Sequence, residues 1–258
     1  MHQTTASDST KIAYEKVGDG PPVIIVGGAF HDRNAGAGLA RALSSHFTVV
    51  TYDRRGRGDS GDSASYSVAQ EIEDLGAVIS EVGGSACLYG VSSGGILALE
   101  TAAAGYSVPK IAAFEPPYRC GQGPELGPDV VPTLSELIRA GKRRESVEYF
   151  LSAIMAVPSQ DIEHMRKMPI WPELEAVSHT LVYDTMVVGD RTWPAARMAS
   201  VKEPTLVMSS GASVPWMKHT AQTIGERLAN GEHVSVAGTP HDASPKVLAP
   251  VLISFFNE

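Results

Sequence analysis

Short apolar segments alternate with helix-like segments along most of the chain, and this alternation constrains the fold more than any other feature. Segment 22–26 is a continuous apolar run, typical of a strand buried on both faces of a sheet, whereas segment 68–82 carries apolar residues at helical spacing. Repeated strand–helix alternation favours a mostly parallel, doubly wound sheet with helices on both faces. We predict strands over 11–17, 22–26, 46–52, 85–89, 110–114, 204–208 and 233–237, and a closing helix over 247–256.

The alternation fails between residues 119 and 200, where the sequence indicates only helices. We predict these helices over 133–140, 144–156, 159–167 and 174–188. A helical stretch of about 80 residues between two strands indicates an inserted lid over the carboxyl edge of the sheet, where open α/β sheets bind ligands. We therefore divide the chain into a core (1–118 and 201–258) and a helical lid (119–200).

Composition excludes several classes of protein. Of 258 residues, 43% are hydrophobic and 19% are charged, as in an ordinary globular protein. The net charge of −8 disfavours nucleic acid as a partner, and the two cysteines form no metal-ligand spacing. We find neither a signal peptide nor an apolar run of about 18 residues, so we expect no membrane span and a cytoplasmic location.

The segment Gly90-Val91-Ser92-Ser93-Gly94 matches the pattern G-x-S-x-G, between a predicted strand and a predicted helix. A nucleophile on such a tight turn needs small neighbours, which the glycines provide. The first N–H groups of the helix that follows favour negative charge developing beside Ser92. We therefore predict that Ser92 is a nucleophile.

In this motif and in the loop 52–60 after the strand 46–52, the chain resembles the α/β-hydrolase family, in the group whose members carry a helical cap. The resemblance implies the α/β-hydrolase fold and covers nearly the whole chain. Family members often carry histidine directly before the nucleophile, where this chain has Val91.

The resemblance also implies a general base and an acid. His241 stands where the family has its base, in the loop after the last strand. For His31 we expect a loop role, with lining of the pocket as the alternative. The loop after strand 204–208, which usually supplies the acid, contains no Asp or Glu. Some haloalkane dehalogenases take the acid from the end of the preceding strand, where this chain has Glu115. We predict Glu115 as the acid, with Asp184 and Asp190 as alternatives; Asp242 is disfavoured because it directly follows His241.

The resemblance places the two oxyanion-hole donors at the backbone N–H groups of Ser93 and Ala29, with Phe30 as an alternative to Ala29. We further predict substrate contacts by residues that flank these positions and by one aromatic residue after the strand 204–208. These residues are Gly28, Phe30, Val91 and Trp216.

A serine at this turn favours acyl transfer over the epoxide and haloalkane chemistry that needs a carboxylate nucleophile. We predict hydrolysis of an ester, lactone or thioester of a small hydrophobic molecule, without a metal or organic cofactor. Two alternatives stay open: a non-hydrolytic lyase, cyclase or perhydrolase on the same scaffold, and a ligand-sensing protein with slow turnover. The sequence does not define the oligomeric state.

Overall fold

The computed structural model describes residues 1–258 and contains an eight-stranded sheet. The strands are β1 (His2–Thr5), β2 (Lys11–Val17), β3 (Pro22–Val26), β4 (Thr48–Tyr52), β5 (Cys87–Val91), β6 (Ile111–Phe114), β7 (Thr205–Ser210) and β8 (Gly231–Val236). Their order is β1-β2-β4-β3-β5-β6-β7-β8. The pairings β1–β2 and β2–β4 are antiparallel and all others are parallel, so the predicted mostly parallel sheet is confirmed.

Helices cover both faces of this sheet. They are α1 (Ala37–Leu43), α2 (Val68–Glu81), α3 (Ser93–Ala103), α4 (Val130–Arg139), α5 (Arg143–Tyr149), α6 (Ser159–Met165), α7 (Trp171–Ala176), α8 (Leu181–Val188), α9 (Ala195–Met198), α10 (Pro215–Arg227) and α11 (Pro245–Asn257). Side chains of α2, α3 and α10 pack with Ile24 and Val26 of β3 in one apolar cluster. Side chains of α1 and α11 pack with Val23 and Ile25 in a second cluster. Because neighbouring side chains of a strand point to opposite faces, the sheet is doubly wound.

Strand β1 and the helices α9 and α10 lie where no strand or helix was predicted, and strands β5 and β7 end two residues later than predicted. Strand β1 is polar and exposes all its residues except Thr4, so it lacks an apolar pattern. Helix α10 follows β7 and was not predicted. Strand β5 ends at Val91 rather than at residue 89, because Gly90 and Val91 still pair with Ala113 and Phe114 of β6.

The segment between β6 and β7 is helical, as predicted, but two of its predicted helices are interrupted. The predicted helix 144–156 is α5 followed by a π-helical turn, Phe150–Ile154. The predicted helix 174–188 is α7, a short 3₁₀ turn and α8. At this break the Thr180 hydroxyl donates to the Val177 carbonyl, and a His179 ring nitrogen is hydrogen-bonded to the Gly56 carbonyl. Buried side chains from α4 to α8 form a third apolar cluster.

Every helix falls short of the combined length and apolarity needed to cross a membrane.

The helix α3 approaches β3 so closely that Gly94 has no room for a side chain. A Cβ on Gly94 would lie 2.3 Å from the carbonyl oxygen of Val26. We predict that Gly94→Ala lowers the free energy of unfolding by about 1–3 kcal/mol, because backbone rather than a flexible side chain must move. Urea unfolding measures this loss. Gly127→Ala is the control, since a Cβ there meets no atom within 4 Å; equal stability of the two variants would contradict the close approach.

Candidate active site

Ser92 lies on the sharp turn between β5 and α3. Its backbone has φ 55° and ψ −122°, a region that non-glycine residues rarely adopt. The turn is possible because Gly90 lies against Gly94, where a Cβ on Gly90 would be 2.3 Å from the Gly94 carbonyl oxygen. Ser93 is the first residue of α3, so its N–H has no acceptor within the helix. The local geometry therefore presents the Ser92 side chain at the amino end of a helix.

The second feature is a hydrogen-bonded pair formed by a buried carboxylate after β6 and a partly exposed imidazole in the loop after β8. Glu115 directly follows β6 and is fully buried, and its Oε2 lies 2.7 Å from Nδ1 of His241. Since an ionised carboxylate only accepts hydrogen bonds, the proton of this bond resides on Nδ1. In the neutral ring, Nε2 is then free to accept a proton.

The carboxylate of Glu115 is held by donors from the loop after β7. The N–H of Ser210 donates to Oε1 at 2.7 Å, and the hydroxyl of Ser213 donates to the same oxygen at 2.5 Å. Burial opposes ionisation of Glu115, but the bonds from His241, Ser213 and Ser210 together hold its pKa below the ordinary value. The Ser213 oxygen also accepts the His241 N–H at 2.9 Å. Ser213 therefore holds both Glu115 and His241 in position through its hydroxyl group.

Sequence reasoning did not identify Ser210 and Ser213. Their loop contains no Asp or Glu, the residue types that the family usually has there. The loop is rich in serine, and this composition could have indicated their role. Where the usual acid is missing, hydroxyl and N–H donors can hold a carboxylate that the neighbouring strand supplies.

The alternative acids lie elsewhere. Asp184 is buried in α8 and accepts hydrogen bonds from Arg54, Arg57 and Ser93 rather than from His241. Asp190 is exposed and accepts from the N–H of Thr192. The structure thus brings Glu115, and neither alternative, to the imidazole of His241.

The loop after β3 lies directly against the nucleophile. A Cβ on Gly28 would be 3.2 Å from Cβ of Ser92, so this backbone lies directly against the serine. The N–H groups of Ala29 and Phe30 are bonded to no protein acceptor. The N–H of Gly28 donates to Nδ1 of His31 at 3.3 Å.

His31 is half-buried, and burial and the nearby charge of Arg57 lower its pKa. Because its Nδ1 accepts the Gly28 N–H, the proton of the neutral ring lies on Nε2. His31 lines the cavity described next, which is the alternative to a plain loop position.

All nine predicted site residues line one cavity of about 1330 Å³. They are Gly28, Ala29, Phe30, Val91, Ser92, Ser93, Glu115, Trp216 and His241. Hydrophobic residues make up about half of the lining, and they come from both the sheet edge and the helical segment between β6 and β7. Met155 also lines the cavity, whereas the exposed Met168 and Met186 do not.

Backbone strain is concentrated at this cavity. The non-glycine residues with positive φ are Ser9, Phe30, Ser92, Glu115, Ala156, Arg191 and His241. All of them except Ser9 line the cavity. Such conformations cost about 1–3 kcal/mol each and cluster at functional sites.

The comparisons with known proteins agree with this fold. The model of the alpha/beta hydrolase family matches residues 23–251, so the chain belongs to that family. It is 46% identical to an alpha/beta hydrolase from Sphaerobacter thermophilus DSM 20745, with a TM-score of 0.95 over 99% of this chain and 100% of the other.

Two more distant structures share the fold. An enol-lactonase from Burkholderia xenovorans LB400 is 18% identical, with a TM-score of 0.74 and full coverage of both chains. An esterase from Exiguobacterium antarcticum is 19% identical, with a TM-score of 0.76 over 99% of each chain.

The Glu115–His241 bond generates a prediction for turnover. We expect Glu115→Gln to lower kcat on an ester substrate by about 10³–10⁴, because a carboxamide can donate to Nδ1 and select the wrong tautomer. Steady-state kinetics at neutral pH measure the loss. The control is Asp190→Asn, an exposed alternative acid, which should keep the wild-type rate. A near-normal rate in Glu115→Gln would remove Glu115 from this role.

The lowered pKa of Glu115 also predicts how stability depends on pH. A carboxyl whose pKa is lower in the folded than in the unfolded protein stabilises the fold above its ordinary pKa, near 4.5. That stabilisation is lost as the pH falls through the lowered value. We therefore expect the free energy of unfolding to fall less on acidification below about pH 4.5 in Glu115→Gln than in wild type. Urea unfolding across this range measures it, and parallel curves would contradict the assignment.

Proposed function

We propose that the protein is a serine hydrolase that cleaves an ester-type bond of a small hydrophobic substrate through an acyl-enzyme. The observation that carries the proposal is the 2.7 Å bond from His241 to buried Glu115, in the cavity that also contains Ser92. A base oriented by a buried carboxylate, in the same cavity as a strained serine, has the parts of an arrangement that activates a hydroxyl.

The first half of the reaction forms the acyl-enzyme. Nε2 of His241 takes the hydroxyl proton as Oγ of Ser92 attacks the carbonyl carbon. The carbonyl electron pair moves onto oxygen, and the N–H groups of Ala29 and Ser93 stabilise that oxyanion. The pair then returns, the bond to the leaving group breaks, and the imidazolium gives its proton to the departing oxygen or sulfur. Glu115 stabilises the imidazolium throughout.

The second half uses water in the same way. His241 takes one proton from water, the hydroxide attacks the acyl carbon, and the tetrahedral intermediate collapses. Oγ of Ser92 leaves and recovers its proton from His241, and the carboxylic acid is released. These steps need only the residues named here and one water molecule.

The cavity supports a hydrophobic substrate. Its volume exceeds the rough 300–1,000 Å³ of ordinary ligand pockets, and aromatic side chains such as Phe30, Phe150 and Trp216 line it. The known esterase and enol-lactonase with this fold are consistent with ester or lactone substrates. We also propose that the helical segment 119–200 is a lid, because Phe150, Ile154 and Leu174 from it line the cavity over Ser92.

We predict that a fluorophosphonate probe labels Ser92 and that p-nitrophenyl esters are hydrolysed. Peptide mass spectrometry locates the adduct, and Ser92→Ala should lose both labelling and turnover because its nucleophile is gone. The matched control, Ser65→Ala, changes an exposed serine and should behave as wild type. Labelling elsewhere, or turnover unaffected by Ser92→Ala, would contradict the mechanism. Tight ligand binding with negligible turnover would instead favour a sensing protein.

A further inference from the structure

A buried arginine holds the peptide group that carries the Ala29 N–H. Arg57 is fully buried, and its Nη1 donates to the Gly28 carbonyl oxygen at 2.6 Å and to the His31 carbonyl oxygen at 3.1 Å. The carbonyl of Gly28 and the N–H of Ala29 belong to the same peptide group. In a planar trans peptide they point in opposite directions. Fixing the carbonyl on Arg57 therefore fixes the direction of the Ala29 N–H.

The remaining bonds of the loop leave this N–H free. The Gly28 N–H donates to Nδ1 of His31, and Arg54 donates to the Gly27 carbonyl oxygen at 3.2 Å. The Gly28 carbonyl oxygen also accepts the backbone N–H of His31 at 3.3 Å, a longer bond than the one from Arg57. The peptide group that carries the Ala29 N–H and the peptide group before it are thus each bonded through their carbonyl oxygen to an arginine. A cationic donor on a carbonyl also polarises its peptide group, which strengthens the N–H as a donor.

One carboxylate in helix α8 joins this arginine to the other predicted donor residue. Asp184 accepts from Nη2 of Arg57 at 2.5 Å and from Nη1 of Arg54 at 2.7 Å. It also accepts from the hydroxyl of Ser93 at 2.6 Å. Burial opposes ionisation of Asp184, but the two arginines lower its pKa, so it stays charged.

We propose that Arg57 is a positioning residue that orients the Ala29 N–H toward the oxyanion, and that Asp184 of α8 holds Arg57 in place. The proposal rests on the proposed function, because an oxyanion forms only if Ser92 attacks a carbonyl. It connects the oxyanion hole to the helical segment between β6 and β7 through a charged contact. A change in the position of α8 would therefore alter transition-state stabilisation.

The test compares Arg57→Lys and Arg57→Gln with Arg55→Lys. Arg55 is equally buried in the same loop, but its guanidinium pairs with Asp74 and Asp8 and touches neither oxyanion-loop backbone nor Ser93. Lysine keeps the charge at position 57 but lacks the planar guanidinium group whose N–H groups donate to two carbonyls and a carboxylate. Losing one oxyanion donor outright costs about 10²–10³ in kcat, so we expect a decrease of about 10- to 100-fold in the Arg57 variants, with KM within about twofold.

A second readout separates positioning from a general structural effect. A trifluoromethyl ketone forms a hemiketal oxyanion on Ser92, whereas the corresponding secondary alcohol occupies the same pocket without one. Affinity for the ketone should fall in the Arg57 variants by about the factor lost in kcat/KM, and affinity for the alcohol should not change. The Arg55→Lys variant should match wild type in both affinities, whatever its melting temperature.

The outcomes that would overturn this proposal differ from the one that would defeat the proposed function. Equal losses of ketone and alcohol affinity, or kcat in the Arg57 variants equal to that of Arg55→Lys, would overturn it. Wild-type protein that neither labels with a fluorophosphonate nor hydrolyses esters would instead defeat the proposed function. If neither Arg57 variant folds, Asp184→Asn tests the same contact with a side chain of the same shape; unchanged ketone affinity in it would overturn the coupling.

Discussion

The burial of the Glu115 carboxylate is the constraint on which the site depends. A fully buried carboxylate is costly unless several donors satisfy it, and here the donors are His241, Ser210 and Ser213. These bonds set the tautomer of the imidazole, join the loops after β7 and β8, and keep Glu115 charged. The polar groups that would be used for catalysis are therefore the same groups that hold the carboxyl edge of the sheet together.

A second buried charge is arranged by the same principle on the other side of Ser92. Asp184 is satisfied by Arg54, Arg57 and Ser93, and the two arginines extend to the carbonyls of the loop after β3. Each of these carboxylates is buried together with its hydrogen-bond partners. Removing a single partner of such a buried charge is strongly destabilising. Two buried carboxylates thus hold two parts of the cavity that contains Ser92, the loop that carries His241 and the loop after β3.

Much of this arrangement could be predicted from the sequence, because it follows from local patterns. Strand–helix alternation predicts the parallel sheet, and glycines around Ser92 predict the strained turn. Glu115 was predicted from the resemblance to haloalkane dehalogenases, because the loop after the strand 204–208 contains no acid and Glu115 ends the preceding apolar strand. Other features depend on distant partners. Arg54 and Arg57 have the composition of an exposed loop, but both pair with Asp184, over 120 positions away, and Arg54 also pairs with buried Glu71. Strand β1 has no apolar pattern, so pairing with β2 alone defines it.

The most direct test is to observe the proton in the hydrogen bond between Glu115 and His241. Proton NMR of the wild-type protein should show a strongly downfield imidazole N–H resonance, because Nδ1–H donates to a buried carboxylate. The resonance should disappear in Glu115→Gln and persist in both Asp184→Asn and Asp190→Asn. If it persists without the carboxylate of Glu115, or disappears with that of Asp184, then another group orients His241 and the central claim is wrong.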